Sequence, residues 1–415
     1  MAIFFLVLPF LQAQDLILDS CQQWARQNYP LIKQYDLINK SEKYNLNNAS
    51  KKYLPQLSLS ARATYQSDVT SIEIPEQLQG MFDLEALSKD QYQAQIEVNQ
   101  LIWDGGLTSS KKKLTKAESQ IDRQKVEVEL YAINDRVNQL FFGILLLNEQ
   151  EKQLNLLSEE LQRNYEKIGT FVENGVANEA DLDALKVEQL NINQQKIQLK
   201  TSRKTYLQML SMLTGVKIDE SKNLQKPKVD FLSANDNNRP EIKLFDAQSK
   251  SFESQRALLN ASNMPFVGAF LQGGYGKPGL NMLKNEFSPF YIGGVSFKWN
   301  LSNLYSRSDD LRKIEIGQHS VAVQKETFLF NQSMLTEQQK NEVDKMQQLI
   351  ADDDEIIRLR ENIKKSSEVK VANGTLTVTD LIRDINAESI ARQNKAMHEI
   401  QLLLSVCNYK YTQGN

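Results

Sequence analysis

The chain has 415 residues, 41% of them hydrophobic and 24% charged, and a formal net charge of −3. That length allows two ordinary domains or one large elongated unit, and the near-neutral charge gives no electrostatic case for nucleic acid. A mean hydropathy of −0.47 with only 9 Pro and 17 Gly argues for long uninterrupted elements and against many turns.

The opening stretch MAIFFLVLPFLQAQ is apolar to Leu11 and ends in small or polar residues. It reads as the hydrophobic part of a secretory signal, residues 1–13, cleaved near Ala13; a buried N-terminal helix is the alternative. No Lys or Arg precedes the run, which points to a true start upstream. The longest later apolar run, LFFGILLL at 140–147, falls far short of the ~20 residues of a spanning helix. An exported chain of this kind is either soluble or a β-barrel. Cys21 and Cys407 stand at opposite ends; their spacing does not define a disulfide, and Cys21 reads better as an ordinary helix cysteine than as a lipid anchor.

Residues 15–53 are helical in pattern. A strand is expected at about 56–66, with Leu57, Leu59, Ala61, Ala63 and Tyr65 on one face and Ser58, Ser60, Arg62, Thr64 and Gln66 on the other, the period of two that gives a sheet one apolar face. A second is expected at about 92–103, where Ile96, Val98 and Ile102 alternate. Residues 106–170 then contain no Pro and predict one helix on the order of 95 Å long at ~1.5 Å per residue. No globular core covers such a helix, so it must lie beside others in a coiled-coil-like array. Asn174-Gly175 ends it, as helix C-termini prefer, and a helix over 176–213 returns.

The chain then repeats itself. Pro30, Ile32, Lys33 and Asp36 recur 210 residues later as Pro240, Ile242, Lys243 and Asp246, and Val172, Asn174, Gly175, Asp181 and Leu182 recur 199 residues later as Val371, Asn373, Gly374, Asp380 and Leu381. Matches at constant offset indicate duplication, and the drop in offset marks 11 residues lost from an exposed loop, 67–90 in the first copy and near 276–289 in the second. The expected organisation is a first repeat over 14–216 with its tip near 172–178, a polar linker over 217–238, and a second repeat over 239–415 with strands at about 266–275 and 291–301 and a tip near 371–377. Val295, Phe297, Trp299 and Leu301 supply the alternation of the last strand.

Two copies of helix, strand, strand, long helix, tip and helix behind a signal resemble the TolC-like outer-membrane efflux protein family, the outer membrane factors. The resemblance rests on NYPLIKQYD and LPQLSLSA, on RPEIKLFDAQ and MPFVGAFLQGGYG, on VNQLIWDGG, and on the two tips. The family's PLFDGG-like strand end fits Leu101 to Gly106; the second copy reads Asn300 to Tyr305, a departure that predicts a differently built turn. The family implies a mainly α fold with a small β part, trimerising into a membrane β-barrel continued by a periplasmic α-helical barrel. Four strands cannot close alone, and open edges are not tolerated in lipid; three copies would pool theirs.

The resemblance further implies a passive exit duct of a tripartite efflux pump or a type I secretion system, in the outer membrane of a Gram-negative bacterium and reaching into the periplasm. It implies no enzyme activity and no cofactor. Its partners would be two further copies, outer-membrane lipid, a periplasmic adaptor and an inner-membrane transporter of RND or ABC type. Ser58, Ser60, Arg62 and Thr64 would line the lumen; Tyr65, Trp103, Tyr275, Tyr291 and Trp299 would form the aromatic girdle, against the alternative of a soluble sheet core. The tips Asn174, Gly175, Val176 and Asn373, Gly374, Thr375 would receive the adaptor, although Gly also simply ends a helix. Asp380 would stand at the periplasmic entrance, where three copies make a carboxylate ring. The family's next aspartate falls on Arg383, with Asp384 one further, so the ring is expected to be weaker or internally paired by Arg383; Asp181 is the pseudo-equivalent in the first copy. Helix-terminus stabilisation is the alternative for both Asp380 and Asp181. A secreted soluble helical scaffold or adhesin is the other reading of the whole.

Chemistry is sparse. His319 and His398 are the only histidines, so a histidine-rich metal site or a His-based triad is hard to build. GGYGKPG at 273–279 lacks Walker spacing and is expected as a loop at a strand end. DDDE at 352–355 is expected as a solvated helix face.

Overall fold

The computed structural model describes residues 16–70, 87–228 and 237–414. The expected signal, the middle of the 67–90 loop and part of the linker lie outside them. The mainly helical chain with a small β part is what the structure has: helices α1 (Leu18–Asn28), α2 (Gln34–Ser50), α3 (Leu107–Glu173), α4 (Glu179–Thr214), α5 (Pro240–Ser262), α6 (Asn303–Ala372) and α7 (Val378–Gln413), with strands β1 (Gln56–Tyr65), β2 (Asp90–Trp103), β3 (Phe266–Lys277) and β4 (Ser288–Lys298). Among the described residues no helix is long and apolar enough to cross a membrane.

The chain forms two compact units that cut across the two repeats: one holds residues up to Gln34, Gln124–Leu244 and Lys325–Asn415, the other Tyr35–Arg123 and Phe245–Gln324. Each repeat contributes to both. In the second unit the strands make one antiparallel sheet in the order β1-β2-β3-β4, so β2 and β3 join the repeats and β1 and β4 are its edges.

Three strand details differ from the sequence reading. The register shifts between Leu101 and Trp103: Ile102 is the extra residue of a bulge, and Trp103, opposite Val267, takes the apolar-face position instead. Strand β4 ends at Lys298, because the Trp299 indole N–H donates to the Asn263 carbonyl at 3.0 Å and Asn300 starts the turn. Trp299 and Leu301 thus lie beyond the ladder. Gly273, Gly274 and Gly276 are in β3 and not in a loop. A Cβ at Gly274 would come within 2.5 Å of the Phe290 ring, so the absent side chain leaves space for an aromatic laid flat on the sheet.

The two strand-to-helix turns are built differently, as the departure at Asn300 predicts. In the first, the buried Asp104 carboxylate accepts from the backbone N–H groups of Gly106 (3.0 Å) and Thr108 (2.7 Å) and from the Tyr53 hydroxyl (2.8 Å), satisfying the free donors of the start of α3. In the second, backbone carbonyls take the donors, Leu304 N–H donating to Leu301 at 3.0 Å and Tyr305 N–H to Ser302 at 3.1 Å, while the Asn300 side chain braces the turn: its amide donates to Asn303 Oδ1 at 3.1 Å and its Oδ1 accepts from Ser302 Oγ at 2.6 Å. The repeats also begin differently. Pro30 opens a short 3-10 turn between α1 and α2, whereas Pro240 is the first residue of α5, where a proline costs no hydrogen bond.

In the first unit, the apolar run at 140–147 is the core of α3: Phe141, Phe142, Ile144 and Leu145 are buried with Leu130, Ile133 and Val137. Helix α1 docks on the end of α4, the Asn28 amide donating to the Met212 and Leu213 carbonyls at 3.2 and 3.3 Å. Cys21 is fully buried inside α1 and both cysteines are free thiols, each pushed up to about 11 by burial. Where the linker rejoins, the Arg239 guanidinium lies 4.9 Å from the Tyr131 ring and 5.1 Å from the Tyr411 ring, themselves stacked at 4.6 Å. This cation–π pairing ties the start of the second repeat to the long helix of the first.

Candidate functional site

In the sheet-bearing unit, the β1–β2 register sets Ser58 opposite Glu97, Ser60 opposite Gln95, Arg62 opposite Gln93 and Thr64 opposite Gln91. Paired residues share a face, so one side of these two strands is continuously polar, and Ser60, Arg62, Gln93, Gln95 and Gln272 line a shallow hollow there. On β3 and β4 that face carries Phe270 and Phe290, laid over Gly294 and Gly274.

The opposite face runs Leu57–Val98–Leu271, Leu59–Ile96–Gly273–Tyr291 and Ala61–Ala94–Tyr275 across the sheet. It is uncovered: Leu59 is 78% exposed, Val295 72% and Tyr291 80%. Such a stripe of large apolar side chains left in solvent marks a surface built to meet something apolar. The proposed girdle residues divide along the strands. Trp103 and Trp299 stand at the helix-side end, Tyr65 at the far end of β1, and Tyr275 and Tyr291 in the far half of the sheet. Tyr275 stacks on Phe287 with ring centroids 5.7 Å apart.

In the helical unit, the two tips have the same construction. Val176 N–H donates to Phe171 and Gly175 N–H to Val172; Thr375 N–H donates to Lys370 and Gly374 N–H to Val371. This pair of bonds closes a helix around a left-handed residue, and Gly175 and Gly374 have φ of +74° and +69°. The glycines are therefore required by the turn, yet a Cβ on either would meet nothing within 4 Å. Asn174 adds an amide bond to the Thr170 carbonyl at 2.7 Å; Asn373 keeps a backbone bond to Val369; Val176 and Thr375 are exposed.

Both returning helices are capped three residues before their aspartate. Asp181 forms a reciprocal box with Asn178, at 3.0 and 3.1 Å. Asp380 N–H donates to Thr377 Oγ1 at 3.1 Å, and the Thr377 hydroxyl donates to Asp380 Oδ2 at 2.7 Å. Arg383 lies 3.0 Å from Asp380 and 3.6 Å from Asp384, whose buried carboxylate also accepts from Ser367 at 2.6 Å. The four entrance candidates thus include one internally paired group, Asp380–Arg383–Asp384, while Asp181 sits apart in its own cap. The cap spacing, Asn-x-x-Asp and Thr-x-x-Asp after a Gly turn, is a signal the sequence reading passed over.

Sequence reasoning also missed the charged seam behind the tip. Lys364 contacts Glu160 at 2.7 Å and Glu388 at 3.4 Å, and Arg392 pairs with Glu388 and Glu361. Asp353, expected in a solvated face, is buried against His398 at 2.7 Å, while Asp352, Asp354 and Glu355 are exposed as expected. The helical period turns one of four consecutive acids inward, and a single histidine gives it a partner. Among the described residues no cluster suited to a metal ion occurs.

Residues 22–216, nearly the whole first repeat and just under half the chain, match the model of the outer membrane efflux protein family. No curated protein matches the sequence. Solved structures share the fold over almost the entire chain. The outer membrane protein VceC from Vibrio cholerae is 13% identical with a TM-score of 0.67, the match covering 96% of each chain. The outer-membrane channel OprN is 13% identical with a TM-score of 0.70, covering 96% of this chain and 89% of that one. The open state of the MtrE outer membrane channel of Neisseria gonorrhoeae is 12% identical with a TM-score of 0.66, covering 96% and 89%. Likeness at this identity speaks for the fold.

Proposed function

We propose, from the match of residues 22–216 to the model of the outer membrane efflux protein family, that this chain is the trimeric exit channel of a tripartite efflux pump or a type I secretion system. That match supports the coarse role and place: an efflux channel in the outer membrane of a Gram-negative bacterium. The finer reading rests on one observation, the four-stranded sheet with two open edges and an uncovered apolar face. A soluble scaffold or adhesin would leave that face in water. Two further copies pair the edges, lipid covers the apolar face, and the polar face with Ser58, Ser60, Arg62 and Thr64 turns to a water-filled lumen.

On this reading Tyr65, Tyr275 and Tyr291 anchor one membrane interface and Trp103 and Trp299 the other. The tips at Gly175 and Gly374 receive a periplasmic adaptor joined to an RND or ABC transporter. Asp380, with Arg383 and Asp384, contributes to the entrance, and Asp181 to the pseudo-equivalent tip. The test is conductance. Purified protein added to a planar lipid bilayer should give discrete steps of ion current; protein that stays soluble and monomeric without detergent, and gives no steps, would refute the channel.

A further inference from the structure

The sheet-bearing unit contains a cleft of about 790 Å³ bounded by α2, α3 and α5. We propose that it binds the anionic headgroup of a phospholipid. The proposal rests on the membrane reading above and goes beyond it. The first argument is position. Lys52 lies four residues before β1, Thr108 five after the end of β2 and Ser262 four before β3, and all three line the cleft. It therefore opens beside the helix-side end of the sheet, the end that carries Trp103. If the strands cross the hydrocarbon core, the cleft stands at the depth of the phosphates.

The second argument is charge. Lys52 and Lys111 line the cleft against one carboxylate, Glu118, and among the described residues neither lysine makes an ion pair. Lys51, Lys112, Lys113 and Lys116 flank them in sequence. A lysine cluster beside a membrane surface attracts anionic headgroups. The third is a hydroxyl without a well-formed hydrogen bond. Thr108, a residue of the cleft wall, is 4% exposed; its backbone N–H is taken by Asp104, and its hydroxyl stands near the same carboxylate without completing a bond of good geometry. Buried hydroxyls are normally satisfied, and a phosphate oxygen is an acceptor of the right kind. The fourth is the apolar part of the wall, Leu107, Leu258 and Leu259. A free phosphate has no use for it; the glycerol and first methylenes of a lipid do.

The test uses the purified protein in detergent, offered phosphatidylglycerol, phosphatidylcholine or inorganic phosphate, with bound lipid counted by native mass spectrometry. Phosphatidylglycerol should be retained over phosphatidylcholine, and the double variant Lys52→Gln/Lys111→Gln should lose about tenfold or more of that retention, since each surface lysine contributes about a factor of five. Lys52→Arg/Lys111→Arg should keep it, and Thr108→Val should lose part. Equal retention of the two lipids, unchanged retention in the Gln double variant, or full displacement of phosphatidylglycerol by inorganic phosphate would each overturn the proposal. So would a cleft sealed by a second copy, read as no bound lipid in the assembled particle. Insertion into bilayers is measured on the same samples. Failure to insert would sink the channel reading, whereas insertion without lipid preference would sink only this site.

Discussion

Lys364 of α6 lies 2.7 Å from Glu160 of α3, with both side chains mostly shielded from solvent, so a charge of the second repeat is held by a helix of the first. Burial works against the Lys364 ammonium, but hydrogen bonds and attraction from Glu160 and Glu388 outweigh it and hold it above the ordinary lysine value of 10.5. Lys364→Met leaves the buried Glu388 with less compensation. It should cost about 2–3 kcal/mol, short of the ~3–5 kcal/mol of a fully buried pair because some solvent reaches the site. A raised lysine value means that the stabilisation is complete below pH 10.5 and fades as pH climbs through the folded value. Thermal melts of wild type and variant should therefore differ at pH 8 and converge in strong alkali; equal melts at pH 8 would make the seam irrelevant to stability.

The tips separate two roles of glycine. Gly374→Val should cost about 1–2 kcal/mol, because the positive φ is strained for a side chain, while Gly374→Asn should be milder, asparagine tolerating that region. Nothing crowds the position, so any stable Asn variant that still fails to export in cells would locate a close-packed partner at the tip. Full export by the Asn variant would reduce the glycine to a helix stop.

At the proposed entrance, Arg383 lies beside the carboxylates of Asp380 and Asp384 and offsets part of their charge. Arg383→Gln should make the channel more cation-selective and more readily blocked by divalent ions, and Asp380→Asn should act in the opposite direction. Both effects should shrink with salt, since exposed charges are screened over ~10 Å at about 0.1 M. The loss of Asp380 should cost only ~0.3–1 kcal/mol as a helix-terminus charge. Bilayer recordings in which neither variant changes selectivity would leave Asp380 as helix chemistry alone.

Much of this was legible in the chain because period and repetition are local properties. The alternation from Leu57 to Tyr65, the long helices free of proline and the Asn-Gly stops all report directly on backbone geometry. What escaped depends on neighbours distant in sequence. Gly274 reads as a loop residue until Phe290 is seen lying on it. Trp299 continues an alternating pattern until its indole finds the Asn263 carbonyl. Asp353 reads as one of four solvated acids until α7 brings His398 beside it. At the proposed entrance, the spacing of Asp380, Arg383 and Asp384 already suggests internal pairing by Arg383, and the structure has that pair, with Arg383 3.0 Å from Asp380 within the first turn of α7.

The loop between β1 and β2 is expected to face the cell exterior. An epitope inserted near Gly80, a position outside the described residues, should be tolerated and reached by antibody on intact cells. Labelling that appears only after the outer membrane is permeabilised would invert the proposed topology.

That one copy's four strands are an unfinished barrel wall is the proposal on which the rest depends. It is tested most directly by the mass of the particle extracted from the outer membrane in mild detergent, read by native mass spectrometry. Three copies of the mature chain are expected, in a particle that aggregates when detergent is withdrawn because the faces of Leu59, Tyr291 and Val295 lose their cover. A single copy, recovered in buffer without detergent and stable there, would contradict it.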